Sequence, residues 1–122
     1  MALRFIPTMV HGILDYATAG TLLALPRALG WKKETTTLLT GPGLGVLGYS
    51  LLTRYELGVV KVLPMPVHLA LDALGGGLLA AASTFFLKDE ESSVKTMLTA
   101  IGVFEIGASL LTKTSPSPDA AS

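Results

Sequence analysis

The chain has 122 residues, of which 50% are hydrophobic and only 15% are charged, with a mean hydropathy of +0.59. This composition is typical of an integral membrane protein, because the helices of a soluble domain keep a polar face. Nine basic and nine acidic residues give no net charge, which argues against a nucleic-acid-binding surface. The chain has no cysteine, which excludes disulfides, thiolate catalysis and cysteine-ligated zinc.

Four apolar segments follow one another along the chain, separated by short polar connections. They cover Thr8–Leu29, Thr35–Thr53, Met65–Leu87 and Thr96–Thr112, and an extension back to Ser92 would bring the last to full length. A helix of about 20 residues crosses a hydrocarbon layer of about 30 Å. The sequence therefore predicts an all-α, integral membrane four-helix bundle with antiparallel neighbours and both termini on one side.

The first half of the chain is repeated in the second half. At an offset of 57 residues the recurring residues are Pro7, Val10, His11, Leu14, Asp15, Gly20, Leu22 and Ala24, matched by Pro64, Val67, His68, Leu71, Asp72, Gly77, Leu79 and Ala81. At an offset of 59, "SLLTR" from Ser50 recurs as "SLLTK" from Ser109. We expect two tandem hairpins, at about 6–56 and 63–114, related by a pseudo-two-fold axis normal to the membrane. They form one domain, 1–114, before a polar tail, 115–122.

Each copy of the repeat contains a histidine and an aspartate inside an apolar segment. His11 and Asp15 lie four residues apart, hence on one helix face, and His68 and Asp72 repeat the pattern. Such groups must be paired, protonated or hydrated, because exposing them to lipid would cost several kcal/mol. The repetition also predicts equivalent roles for the two aspartates.

Depth along the helices adds further polar residues to this layer. Glu105 falls at the same depth, and Tyr49 lies slightly nearer the membrane boundary. Two interpretations remain open: the groups form structural hydrogen bonds, which we favour, or they line a polar cavity for protons, a metal ion, haem or a quinone. Because duplication by itself generates two histidines and two carboxylates, we assign no catalytic residue, no metal site and no cofactor.

Glycines are expected to allow close contact between helices. Gly41, Gly45 and Gly48 share one face of the second helix, a pattern typical of helix packing. The other glycines expected at helix contacts are Gly75, Gly76, Gly77, Gly102 and Gly107. Close helices leave no space for a macrocycle, so we expect the isolated protein to bind no haem. The acidic run at 89–91 is interpreted as a solvated loop.

Three stretches carry a resemblance to a known family: "RFIPTMVHGILDY", "SLLTRYELG" and "LPMPVHLALDALGGGLLAAAS". Together they resemble the small bacterial four-helix membrane proteins of the SPW-repeat type, although the Ser-Pro-Trp tripeptide of that name does not occur here. The resemblance covers most of the chain. It implies an integral membrane protein without assigned chemistry, and it supplies no catalytic residues.

The expected function is non-catalytic: a structural or accessory subunit of a larger membrane complex, such as a respiratory or photosynthetic one. The alternative is a small membrane protein that handles ions, protons or a cofactor through the buried histidines and carboxylates. Expected partners are membrane lipids and other membrane subunits or a second copy, without nucleic acid. We expect a multi-pass protein of the inner or plasma membrane with cytoplasmic termini, although four cationic residues flank the terminal face and five the other.

Overall fold

The computed structural model describes residues 4–116, which contain four α-helices. These are α1 (Thr8–Ala28), α2 (Lys33–Leu51), α3 (Met65–Phe85) and α4 (Ser92–Leu111). No β-strand occurs among the described residues. The predicted all-α, four-helix architecture is confirmed, and α4 begins at the earlier of its two predicted starts. Most of the predicted tail, residues 117–122, lies outside the described residues.

Proline and glycine set several helix boundaries. Pro7 and Pro64 immediately precede α1 and α3, each with a φ of −62°, the angle that the pyrrolidine ring imposes. After α1, Gly30 has a φ of +65°, which favours glycine. This turn allows the Trp31 N–H to donate to the Pro26 carbonyl at 2.9 Å, as in a Schellman ending. Each hairpin thus begins at a proline.

The closest helix packing occurs within each hairpin, between α1 and α2 and between α3 and α4. At the α3–α4 crossing, a Cβ added to Gly76 would lie 2.5 Å from the Gly102 carbonyl oxygen. In the first hairpin, a Cβ on Gly43 would lie 2.9 Å from Leu23 side-chain atoms. Of the two helix crossings, the one where α3 meets α4 backbone to backbone therefore requires glycine more strictly.

The other glycines predicted to lie at helix contacts are not closely packed in the structure. A Cβ would meet no atom within 4 Å at Gly41, Gly45, Gly48, Gly75 or Gly107, and at Gly77 it would meet only Ile106 at 4.0 Å. The physical reason is helix phase. Gly43 lies about 200° around α2 from Gly41, so the face that packs against α1 is not the face that carries the predicted glycines.

The two hairpins are joined to each other at both ends of the bundle. At the terminal end, an isolated bridge pairs Ile6 with Thr112, and a second pairs Thr53 with Leu63. At the opposite end, which we call the loop end, Glu90 accepts hydrogen bonds from the Thr35 hydroxyl at 2.6 Å and the Lys32 N–H at 3.3 Å. The acidic run therefore contains a residue that links the hairpins and is not merely solvated.

The same positions are buried in both hairpins. Along α1 and α3 the buried pairs separated by 57 residues are Thr8 and Met65, His11 and His68, Gly12 and Leu69, Asp15 and Asp72, Ala19 and Gly76, Leu22 and Leu79, and Pro26 and Ser83. The apolar core has one part toward the loop end, made of Leu22, Leu39, Leu79, Leu87, Val94 and Leu98. A smaller part contains Tyr55, Met65 and Leu69.

Length and composition would allow two helices to cross a membrane. Within residues 4–116, α3 and α4 are long and apolar enough, with peak mean hydropathies of 1.4 and 1.5. α1 and α2 do not reach this level, since α2 in particular is rich in threonine and glycine. The two hairpins therefore differ in hydropathy although they bury equivalent positions.

Candidate functional site

Four ionisable side chains meet between α1 and α3 in the interior of the bundle. We call His11, Asp15, His68 and Asp72 the His–Asp cluster. All four are buried, with side-chain exposures of 0 or 1%. The four-residue spacing places each histidine and aspartate on one helix face, and both faces point inward.

The shortest contacts in the His–Asp cluster cross from one hairpin to the other. His11 Nε2 lies 2.6 Å from Asp72 Oδ2, and His68 Nε2 makes the equivalent hydrogen bond to Asp15 Oδ2. Within each helix the histidine and aspartate are farther apart, at 3.2 Å. The aspartate one turn away on the same helix is therefore not the nearest partner, because the docked hairpin brings a closer one.

The other ring nitrogen of each histidine contacts a threonine at the end of a helix. His11 Nδ1 lies 2.7 Å from Thr112 Oγ1, and His68 Nδ1 lies 2.7 Å from Thr53 Oγ1. Sequence analysis did not assign these threonines to the site. The repeated "SLLT" segments that contain them were the available signal, but a threonine ending a helix has many uses.

The threonine hydroxyls determine which ring nitrogen carries a proton. Thr53 donates its hydroxyl to the Tyr49 carbonyl, and Thr112 donates to the Ala108 carbonyl, both at 2.6 Å. Each hydroxyl has one proton, so it must accept from the histidine Nδ1–H. Each Nε2 then either accepts from a protonated aspartate or, in an imidazolium ion, donates to a carboxylate. Either assignment leaves the His–Asp cluster with no net charge.

The two aspartates differ in the bonding of their second oxygen. Tyr49 donates its hydroxyl to Asp72 Oδ1. Asp15 Oδ1 is buried without a hydrogen-bond partner among the described residues. The residue 59 positions after Tyr49 is Ala108, which has no hydroxyl to offer. The predicted equivalence of the aspartates therefore holds for Oδ2 and fails for Oδ1.

A cavity of about 120 Å³ adjoins the His–Asp cluster on one side. Glu105 lies on its wall, accepts a hydrogen bond from the Thr18 hydroxyl at 2.9 Å through Oε1, and leaves Oε2 without a partner among residues 4–116. The remaining wall is mostly apolar. The lining residues are Thr18, Leu22, Pro42, Gly45, Val46, Tyr49, Leu71, Asp72, Gly75, Gly76, Leu79 and Glu105.

The connection between α2 and α3 covers the His–Asp cluster at the terminal end. The Tyr55 ring is fully buried, with its centroid 5.3 Å from that of His68. Gly12 makes this possible, because a Cβ there would lie 2.8 Å from Tyr55 Cε2 and 2.9 Å from Leu57 Cδ1. The rings of Tyr49 and His11 also contact His68, with centroids 5.0 and 5.5 Å away. The His68 ring therefore lies among the rings of Tyr49, Tyr55 and His11.

The described geometry brings all six predicted polar residues into one connected region. Tyr49 and Glu105 meet at the cavity wall, and the His–Asp cluster lies directly behind it. One nitrogen or oxygen atom from each member of the cluster could contribute to a metal site, because these atoms all lie within 4.8 Å of one another. The arrangement can fasten two hairpins together, hold protons or bind a cation.

The sequence matches no family model and no curated protein, and the fold matches no solved structure. The resemblance to SPW-repeat proteins therefore stays a prediction.

Proposed function

We propose that the protein is a non-catalytic integral membrane protein that serves as a structural or accessory subunit of a larger membrane assembly. The His–Asp cluster supports this proposal most directly. Its histidine nitrogens and the facing aspartate oxygens are all engaged with one another or with threonine, and the side chains are buried. A catalytic histidine needs a free nitrogen that faces a substrate, whereas these nitrogens join the two hairpins.

Four membrane-spanning helices are proposed, although only α3 and α4 are apolar enough by themselves. The reason is the attachment of the first hairpin to the second at both ends of the bundle. Ile6 is bridged to Thr112 at the terminal end, and Thr35 is bonded to Glu90 at the loop end. If α3 and α4 cross a membrane, α1 and α2 run beside them over the same depth.

We also propose that the hairpins arose by tandem duplication and are related by a pseudo-two-fold axis normal to the membrane. The contacts between hairpins support this relationship because they occur in exchanged pairs. His11 bonds to Asp72 as His68 bonds to Asp15. Ile6 is likewise bridged to Thr112 as the equivalent Leu63 is bridged to Thr53.

Single cysteines test the number of spans, because the chain has none of its own. We would introduce cysteine at Lys33, Val59 and Ser92, which are exposed connection or helix-end positions, and label intact cells with a membrane-impermeant maleimide. Four spans place 33 and 92 on one side and 59 on the other. If the cysteines at 33 and 59 instead lie on one side and the cysteine at 92 on the other, only α3 and α4 cross the membrane.

The accessory role is tested by the mass and composition of the native particle. After mild detergent extraction, we expect the 12.7 kDa chain to migrate in a discrete assembly with other membrane subunits at constant stoichiometry. Mock purification from cells that lack the affinity tag provides the control. A monodisperse particle that contains only this chain would contradict the proposal.

A second candidate function, proton or ion handling, is favoured by one observation: the cavity that joins Asp72 to Glu105. Glu105 has a carboxylate oxygen without a partner among the described residues. In liposomes containing a pH-sensitive dye, this function predicts proton entry that Glu105→Gln reduces and Glu90→Gln, at the exposed loop end, does not. Entry no faster than in empty liposomes would exclude proton handling.

A further inference from the structure

We propose that the His–Asp cluster binds one divalent transition-metal ion between the hairpins, and that Zn²⁺ is the ion it fits best. The ligands are His11 Nε2, His68 Nε2, Asp15 Oδ2 and Asp72 Oδ2. The inference goes beyond the accessory role and does not depend on it.

The four ligand atoms form a compact set, because they all lie within 4.8 Å of one another. Zinc bonds to imidazole nitrogen and carboxylate oxygen at about 2.0–2.2 Å, which makes the edges of a tetrahedron about 3.3 Å long. Two of the nitrogen–oxygen edges, between the histidine and aspartate of one helix, already measure 3.2 Å. The two contacts between hairpins are shorter, at 2.6 Å for His11 and Asp72, and that contact would have to lengthen by about 0.7 Å to reach the tetrahedral edge as the ion enters.

The threonines orient both imidazoles for metal binding. Thr53 and Thr112 accept from Nδ1–H, so in the neutral ring the lone pair is on Nε2, which faces the centre of the cluster. Metal-bound histidines commonly donate their other N–H to such a partner, which fixes the tautomer and the ring plane. The two rings are also held by contact with each other, with an angle of 75° between their planes.

The charge balance favours a divalent ion. Without metal, each of the two short nitrogen–oxygen contacts holds one proton, and the His–Asp cluster is neutral. Entry of a divalent cation with release of these two protons leaves two neutral histidines, two carboxylates and one ion of charge +2. The net charge stays at zero, so the buried site gains no uncompensated charge.

A second observation, at Asp15, supports the presence of a cation. Its Oδ1 is buried and has no partner among the described residues, whereas the matching oxygen of Asp72 receives the Tyr49 hydroxyl. A cation at the centre of the cluster would interact with the whole Asp15 carboxylate. With the ion on Oδ2, the negative charge of the carboxylate is balanced, although Oδ1 itself is not a ligand.

The coordination chemistry indicates a structural site and not a catalytic one. Two imidazoles and two carboxylates supply four protein ligands, which fill a tetrahedral zinc site and leave no position for water. Mixed nitrogen and oxygen ligands also suit Zn²⁺ better than Mg²⁺ or Ca²⁺, which prefer oxygen alone. The ion would reinforce the same contact between hairpins that the hydrogen bonds make without it.

The test uses the full chain, purified in detergent through a tag without histidine and stripped of metal with a chelator. After dialysis against Zn²⁺ and removal of free ion, elemental analysis should find about one zinc per chain. Co²⁺ in place of Zn²⁺ should give the visible absorption bands of a tetrahedral nitrogen and oxygen site. Mg²⁺ at the same concentration should not compete.

The matched variant is Asp15→Asn combined with Asp72→Asn. An asparagine N–H can donate to histidine Nε2, so the contacts between hairpins persist while both anionic ligands are lost. Zinc should fall to the background of a metal-free detergent control, with an unchanged helical circular dichroism spectrum. Thr53→Val with Thr112→Val should keep the site but weaken zinc binding by about 10- to 100-fold.

Two results would overturn the proposal: wild-type protein that retains no more zinc than the double asparagine variant, or Co²⁺ bound without tetrahedral bands. The Co²⁺ spectrum needs only wild-type protein, so it decides the question even if the double variant does not fold. Failure here leaves the accessory role and its native particle unaffected, which keeps the two proposals distinguishable.

Discussion

The two hairpins place the same polar residues at the same positions and surround them differently. Each contributes one histidine and one aspartate to the His–Asp cluster and one threonine that contacts it, and all six residues are buried. The second helices differ at several positions, and three of these differences lie beside the cavity or the cluster. Gly45, Val46 and Tyr49 of α2 correspond, at an offset of 59, to Phe104, Glu105 and Ala108 of α4.

This divergence creates a cavity on one side of the bundle. Gly45 and Val46 line it, whereas Phe104, the counterpart of Gly45, is half-exposed and borders a different groove beside α1. Glu105 then reaches the cavity wall from the second hairpin. The comparison teaches that the shared residues maintain the contact between hairpins, while differences in the second helices alter the surroundings of that contact. The following substitutions test this division, beginning with the largest expected effect.

Alanine substitution of the glycines at the helix crossings should give the largest difference in the free energy of unfolding between the two hairpins. We expect Gly102→Ala to lower the free energy of unfolding by about 3 kcal/mol, because its methyl group would meet the Gly76 backbone carbonyl, which cannot move away. Gly43→Ala should cost about 1 kcal/mol or less, since the Leu23 side chain can shift. Unfolding by SDS in mixed micelles, followed by circular dichroism, measures both.

A second equivalent pair of glycines supplies the control for this experiment. Gly48 and Gly107 both have open space where a Cβ would lie. Alanine at either position should stabilise the protein by about 0.5–1 kcal/mol through helix propensity. Equal losses at Gly43 and Gly102 would show that the two crossings are equally tight.

Alanine substitution of the two aspartates should give a smaller difference in the free energy of unfolding, and Tyr49 determines which substitution costs more. Removal of either carboxylate leaves one histidine Nε2 without its closest partner. Asp72→Ala also leaves the Tyr49 hydroxyl unpaired, so it should cost about 1 kcal/mol more than Asp15→Ala. The same micelle unfolding assay gives both values. In a Tyr49→Phe background the difference should disappear, and its persistence there would assign the asymmetry to another cause.

The sequence predicted the helices and the buried polar residues well, but it did not predict which residues these polar side chains contact. Pro7, Pro64 and the apolar segments are local features, so four helices could be recognised from them. The partner of His11 depends on how the hairpins dock. Its Nε2 lies 2.6 Å from Asp72 and 3.2 Å from Asp15, so Asp72 is the closer partner. No local pattern contains that information.

Helix packing was harder to predict for a similar reason. Gly43 and Gly102 recur at an offset of 59, which was a signal for a shared crossing. The more conspicuous spacing of Gly41, Gly45 and Gly48 indicated a different face. Small-residue spacing identifies a face that permits close approach, but the partner helix determines whether that face is used.

The threonines should show a symmetric effect, in contrast to the aspartates. Thr53→Val and Thr112→Val keep the side-chain shape and remove the oxygen that accepts from histidine Nδ1. Each should cost about 1 kcal/mol, and the two values should agree within about 0.5 kcal/mol. The measurement is unfolding in mixed micelles, with Thr84→Val on the exposed face of α3 as control. A markedly larger loss at one threonine would contradict equal contributions from the two hairpins.

The smallest expected effect concerns the loop end, where a carboxylate of the second hairpin bonds to a threonine of the first. Glu90 accepts the Thr35 hydroxyl, and Val94, the residue 59 positions after Thr35, has no such group. This hydrogen bond is the main cause that lowers the pKa of the Glu90 carboxyl. The Glu90 side chain is partly exposed, so Glu90→Gln should lower stability at neutral pH by about 0.5 kcal/mol or less.

The lowered pKa also fixes how this small effect depends on pH. The bond stabilises the ionised carboxylate, so the contribution is complete above the ordinary glutamate value of about 4.3 and is lost as pH falls through the lower value of the folded protein. The difference between wild type and Glu90→Gln should therefore shrink on acidification. Glu91→Gln, its neighbour in the same connection, serves as the control and should show no such convergence. A difference for Glu90→Gln that stays constant down to acidic pH would mean that the hydrogen bond to Thr35 does not depend on the charge.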